Sequence, residues 1–180
     1  MDPLQSRHPL IKKQKRTGSG ITVSSVPRIL AVANQKGGVG KTTTAINLAT
    51  AMCAVGKRVL LVDLDPQGNA STGLGVKRSE IQKSTYDVLF GEAHIMDVAK
   101  ETKVPGLFVA PSSVHLSGAE LELVTAPRRE YRLREAMRMP LPYDYIIMDC
   151  PPSLNLLTLN ALVTADSIVV PLQCEFYALE

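Results

Sequence analysis

Ile29–Ala33 is an uninterrupted apolar run, and Arg58–Leu64, Leu107–Ala110, Tyr145–Met148 and Ser167–Leu172 are largely so. Five short runs without apolar/polar alternation predict strands buried on both faces, hence a parallel sheet. Between the first two, Ala45, Leu48, Ala49 and Met52 repeat at i, i+3, i+4 and i+7, which predicts a half-buried helix over Thr42–Val55. Gly56 then stands where a helix-ending glycine belongs. Ala119–Val124 and Arg129–Met139 also read as helices, separated by Pro127 and stopped by Pro140. Alternating strands and helices predict an α/β fold, a doubly wound, mostly parallel sheet in a three-layer α/β/α sandwich. Ligands of such sheets gather at the carboxyl ends of the strands. A glycine-rich loop after the first strand, Asp63 and Asp65 after the second, and Asp149 after the fourth all fall there.

Composition narrows the class without changing it. The 180 residues suit one domain with a sizeable core, and 45% hydrophobic with 21% charged residues is ordinary for a globular protein. No apolar run reaches the ~18 residues of a membrane span, and the charged N-terminus does not read as a secretory signal. Cys53, Cys150 and Cys174 are far apart and are expected to be reduced, mostly buried side chains. His8, His94 and His115 lack metal-binding spacing. The net charge of +3 is uneven: Arg7, Lys12, Lys13, Lys15 and Arg16 against Asp2 give residues 1–27 a net +4. That stretch lacks hydrophobic periodicity and is expected to be a basic, disordered extension, leaving 28–180 as the folded domain. A solvated tail is the plain reading; contact with nucleic acid, anionic lipid or a partner is the alternative.

The loop Asn34-Gln35-Lys36-Gly37-Gly38-Val39-Gly40-Lys41-Thr42-Thr43 carries the chemistry. Strand, glycine loop and helix in that order make a phosphate cradle, with backbone N–H groups converging on phosphate oxygens. Lys41 is placed to reach β- and γ-phosphates and Thr42 to ligate Mg²⁺. A standard loop has glycine six residues before its lysine; here that position is Gln35, followed by a second lysine, Lys36. Asp149, after an apolar strand, fits a carboxylate holding the metal directly or through water. Alternation along the second strand is expected to aim only one of Asp63 and Asp65 at the γ-phosphate.

Lys36–Thr43 resembles the deviant Walker A motif of the ParA/MinD superfamily of P-loop ATPases. Asp63-Leu64-Asp65-Pro66-Gln67-Gly68-Asn69 is similar to its Walker A′ segment, and Asp149-Cys150-Pro151-Pro152-Ser153 to its Walker B. Gln67-Gly68-Asn69, Leu157–Leu162 and the ending from Val170 resemble ParA/Soj chromosome-partitioning proteins most. The resemblance implies ATP or ADP with Mg²⁺ as ligands, bound by Lys36, Gly37, Gly38, Val39, Gly40, Lys41, Thr42 and Thr43. It implies that Lys36 crosses to a partner's nucleotide, Lys41 serves its own subunit and Thr43 contacts the α-phosphate. Asp65 would orient the hydrolytic water, with Thr42, Asp63 and Asp149 around the metal. It further implies a homodimer formed on ATP binding, non-specific DNA binding, stimulation by a ParB-type centromere-binding protein, and a cytoplasmic, nucleoid-associated location. A MinD-like, membrane-associated positioning ATPase is the alternative, and would need an amphipathic helix not found here. Family members continue past Glu180, so the chain is expected to be truncated at its C-terminus relative to them and to expose an apolar sheet edge.

Arg128, Arg129, Arg132, Arg134 and Arg138, interleaved with Glu130 and Glu135, suggest DNA contact. A solvated, internally paired helix face is the reading the spacing favours.

Overall fold

The computed structural model describes residues 26–173. Expectations for residues 1–25, for Cys174 and for the stretch on to Glu180 lie outside the described residues. Six strands form one sheet: β1 (Arg28–Val32), β2 (Val59–Asp63), β3 (Lys100–Glu101), β4 (Leu107–Ala110), β5 (Tyr145–Asp149) and β6 (Ser167–Val169). Their order is β3-β4-β2-β5-β1-β6, parallel throughout except for β3, which runs antiparallel to β4. The helices are α1 (Lys41–Ala54), α2 (Asn69–Gly73), α3 (Thr85–Phe90), α4 (Ile95–Val98), α5 (Leu116–Val124), α6 (Arg132–Ala136) and α7 (Leu156–Thr164).

Uninterrupted apolar strands imply two covered faces, and two separate cores bear this out. Leu30, Val32, Val59, Leu61 and Ile147 pack on one side with Ala45 and Ala49 of α1 and Ala70 of α2. Ala31, Leu60, Val62, Ile146 and Met148 pack on the other, under Val88, Leu123, Leu133 and Leu157 from α3, α5, α6 and α7. Odd and even strand positions thus feed different layers, as the period-2 pleat requires. Each fully buried Leu or Ile here contributes about 1.5–3 kcal/mol of transfer free energy.

Several boundaries differ from expectation, each for an identifiable reason. Helix α1 starts at Lys41, one residue early, because Gly40 at φ 85° turns the chain directly from loop to helix. Strand β6 ends at Val169 rather than Leu172; Pro171 has no N–H to donate, and its carbonyl instead accepts from the Asn34 side chain at 2.9 Å. Helix α6 spans Arg132–Ala136, not Arg129–Met139. Arg128 adopts φ 52°, outside the helical region, and the buried Asn160 of α7 takes the Arg129 carbonyl (2.7 Å) and the Leu133 N–H (3.1 Å). Helices α2, α3 and α4 are too short for a periodic signal. Local caps mark two of them: Ser84 and Asp87 form a reciprocal capping box at α3, and His94 Nδ1 accepts from the Met96 N–H at α4. Gly106 shows why one turn tolerates no side chain: its φ is +84°, and a Cβ would sit 3.2 Å from the Lys57 carbonyl.

Candidate functional site

β1 ends at Val32, and the chain crosses the carboxyl edge of the sheet as the glycine loop before entering α1. Gly38 (φ 75°) and Gly40 (φ 85°) hold left-handed conformations that a side chain would strain. Val39 is buried and pins the loop's middle, while Gly37 and Gly38 are exposed. A Cβ built on Gly37, Gly38 or Gly40 would meet no protein atom within 4 Å, so the space around these loop glycines is open. The loop is tied at both ends: the Lys36 N–H donates to Asn34 Oδ1 at 2.9 Å, and Gln173 Nε2 donates to the Gly38 carbonyl at 3.3 Å. The Lys36 side chain is exposed at the rim.

Helix α1 has fourteen residues and no side-chain cap at its N-terminus. Its first internal hydrogen bond is Thr44 N–H to the Gly40 carbonyl, 2.8 Å, so the amides of Lys41, Thr42 and Thr43 have no acceptor within the helix. Uncapped amides at the positive end of a helix dipole suit an anion. Lys41 is almost fully buried, and its Nζ donates to the Lys36 carbonyl at 2.9 Å, folding the ammonium over the loop.

Opposite this helix end stand three carboxylates. Asp63 and Asp149 are paired across β2 and β5, so their Cβ atoms leave the same sheet face, the face on which α1 packs. Both are completely buried. Burial pushes the Asp149 carboxyl up to about 7; the Thr42 hydroxyl and Lys41 ammonium oppose that shift, and the charges of Asp63 and Asp65 reinforce it. Thr42 thus lies close enough to act on Asp149, yet no hydrogen bond of ordinary geometry forms, and both Asp149 oxygens are without a partner among the described residues. Asp63 is pushed up to about 6 by burial, although its oxygens accept from Ser71 N (2.8 Å), Ser71 Oγ (2.6 Å) and Asp65 N (3.2 Å). Asp65 is buried and its Oδ1 accepts from the Gln67 N–H at 2.9 Å.

Asp63 ends β2 with its oxygens taken by Ser71 and the Asp65 amide, Asp65 lies beyond the strand, and both charges bear on Asp149. One expectation needs correction here. The arginine segment is not a continuous helix of i, i+4 pairs. Arg128 bonds Glu135 and Arg129 bonds Glu130, each at 2.9 Å, and Arg128 lies over the Tyr131 ring, so two of its five arginines are internally paired. Cys150, next to Asp149, is buried with its thiol pushed up to about 12, and Cys53 is half-buried and also free. The sequence reading missed Ser71 and Ser112, the buried serines behind the Asp63–Gly68 segment, and no motif marks them.

This donor set can hold a phosphate-bound magnesium. A buried carboxylate with both oxygens unpartnered is costly unless something positive satisfies it. Among the described residues no cluster of His, Cys, Asp and Glu forms a complete protein cage, and magnesium seldom uses one: it takes one or two carboxylates, waters and phosphate oxygens.

Strand, left-handed glycine loop, uncapped helix and strand-end carboxylates on a parallel sheet define a P-loop NTPase fold. A family model described as an AAA domain matches residues 27–180, and the chain belongs to that family. Over 156 residues it is 61% identical to the chromosome partitioning protein ParA of Caulobacter vibrioides, covering 85% of this chain and 58% of that protein. It is 54% identical over 154 residues to the sporulation initiation inhibitor protein Soj of Bacillus subtilis, covering 85% and 61%. Among solved structures it resembles cobyrinic acid a,c-diamide synthase from Mycobacterium smegmatis with bound ATP analog and magnesium. There the TM-score is 0.80 and the identity 45%, covering 83% of this chain and 62% of that one. A putative plasmid partition protein from Borrelia burgdorferi bound to AMPPNP has TM-score 0.73 at 28% identity, over 84% and 64%. The chain therefore spans about three fifths of the length of these relatives.

Proposed function

We propose that residues 28–180 bind and hydrolyse Mg·ATP as the switch of a chromosome or plasmid partitioning system. The observation that carries this is the orphaned Asp149 carboxylate facing Lys41, Thr42 and the uncapped start of α1. The amides of Gly37, Gly38, Val39, Gly40 and Thr43 line the phosphates, Lys41 neutralises their charge, and Thr42 with Asp149 holds the metal. Magnesium held there by Thr42 and Asp149 would supply charge neutralisation for phosphoryl transfer. Asp63, its oxygens already occupied by Ser71 and the Asp65 amide, anchors the segment and adds negative charge from behind. Asp65 keeps Oδ1 on the Gln67 amide and uses its other oxygen to orient the attacking water.

Lys36, on the exposed rim, reaches the nucleotide of a second subunit, which makes ATP the trigger for a homodimer. The dimer binds DNA non-specifically, and a ParB-type centromere-binding protein stimulates hydrolysis and release. The names of the partitioning relatives support this reading, as does the nucleotide in the solved neighbours. No helix among the described residues is long and apolar enough to cross a membrane.

The test is nucleotide binding and ATPase activity with DNA, with anionic vesicles, and with neither. Stimulation by vesicles but not by DNA would sink the partitioning reading. Lys41→Ala should abolish binding of a fluorescent ATP analogue. Asp65→Ala should keep binding and lose about 100-fold or more in kcat, as for a water-orienting group; lost binding would show that Asp65 belongs to the phosphate cradle instead.

A further inference from the structure

The segment Asp63–Gly68 carries Asp65, yet apolar packing does not hold its outer side. A cavity of about 370 Å³ opens against Pro66, Gly68, Ser71 and Ser112, with polar walls that include Ser84 and Ser113. Leu64 anchors the segment in the core, and around Asp65 it is held by a closed ring of hydrogen bonds. Asp63 Oδ1 accepts from the Asp65 N–H at 3.2 Å, and Asp63 Oδ2 accepts from Ser71 Oγ at 2.6 Å. Ser71 Oγ in turn accepts from the Ser112 N–H at 3.0 Å, and Ser112 Oγ donates to the Asp65 carbonyl at 2.5 Å. Both backbone ends of Asp65 are thereby clamped by side chains, the N–H from Asp63 and the C=O from Ser112. Ser71 and Ser112 are each 2% exposed, so both bonds are made by buried groups.

We propose that Ser112, at the end of β4, is the positioning residue that sets the Asp65 carboxylate for hydrolysis. This rests on the proposed ATPase reading and adds a residue that no motif of the loop contains. Ser112 comes from a strand separated from β1 and its loop by β2 and β5, and the bonds it makes run to Ser71 and Asp65. Losing its hydroxyl leaves the Asp65 carbonyl with the Gly68 N–H alone, which loosens the Asp65 peptide without touching Lys41, Thr42 or the glycine loop. A water-orienting carboxylate needs its geometry in the transition state, whereas phosphate binding does not use it.

The experiment compares wild type, Ser112→Ala and Ser112→Thr in the full chain by three readouts. These are the Kd of a fluorescent non-hydrolysable ATP analogue with Mg²⁺, steady-state ATPase, and amide hydrogen exchange at Gln67 and Gly68. The last two amides bond to Asp65 Oδ1 and the Asp65 carbonyl, so they report its pose directly. Ser112→Ala should lose about 10- to 100-fold in kcat with Kd changed by less than about two-fold, and both amides should exchange faster. Ser112→Thr restores the hydroxyl and should recover kcat to within about three-fold of wild type. Unchanged kcat in Ser112→Ala, Kd rising in step with the fall in kcat, or a folded Ser112→Thr without recovery would each overturn the assignment. A wild type that binds the analogue but never hydrolyses ATP overturns the ATPase reading instead. The clamp is then judged by exchange alone, and unchanged exchange in Ser112→Ala refutes it.

Discussion

Asp149 is where local chemistry and stability conflict. Its folded-state carboxyl titrates near 7 and that of Asp63 near 6, both above the ordinary carboxylate range of about 3.9. A raised carboxyl contributes stability that is present below the unfolded pKa and lost as pH rises through the folded value. In the absence of nucleotide and Mg²⁺, the chain should therefore be more stable near pH 5 than near pH 8, with the loss running from about pH 4 up through the folded values near 6 and 7. Asp149→Asn removes the buried charge and should flatten that dependence, stabilising the protein at pH 8 by on the order of 2 kcal/mol. Urea melts in EDTA across this range check it, and an unaltered pH slope in Asp149→Asn would show that another group is responsible. The carboxylates themselves were legible in the sequence, because a strand followed by Asp is a local pattern. Their serine partners were not, since Ser112 lies 47 residues from Asp65 and meets it only in the folded chain.

At the scale of elements, Asn160 decides where α6 begins. Its side chain is fully buried, donates to the Arg129 and Leu156 carbonyls at 2.7 and 2.8 Å, and accepts from Leu133 N–H at 3.1 Å. Asn160→Ala strands the Leu133 amide and the Arg129 carbonyl in the interior, and should cost about 2–4 kcal/mol in urea unfolding. A loss below ~1 kcal/mol would mean that water reaches these groups. The nucleotide Kd should stay near wild type, because α6 and α7 pack on the sheet face opposite α1. Periodicity placed α1 to within a residue but extended α6 by three residues at each end. The difference is physical: α1 ends at a local signal, Gly56, whereas the start of α6 is set by contacts from a distant helix.

For the molecule as a whole, β6 is an edge strand among the described residues, and it carries exposed apolar groups. Ile168 and Val170 are 53% exposed and Leu172 69%, with Leu154 (65%) beside them. Unpaired strand edges of this kind template association. The chain is predicted to self-associate in sedimentation velocity as its concentration rises, and Ile168→Lys should suppress this while leaving the melting temperature nearly unchanged. Association that weakens with added salt would instead point to charged contacts. The sequence alone determined the parallel α/β class, the strand and loop that precede α1, and the carboxylates at strand ends, because each is written in contiguous residues. It could not determine that Asp149 would be left without partners among the described residues, that Ser112 would close a ring around Asp65, or that Asn160 would set the start of α6. Those outcomes depend on which strands become neighbours, and the order β4-β2-β5-β1 exists only once the sheet has formed.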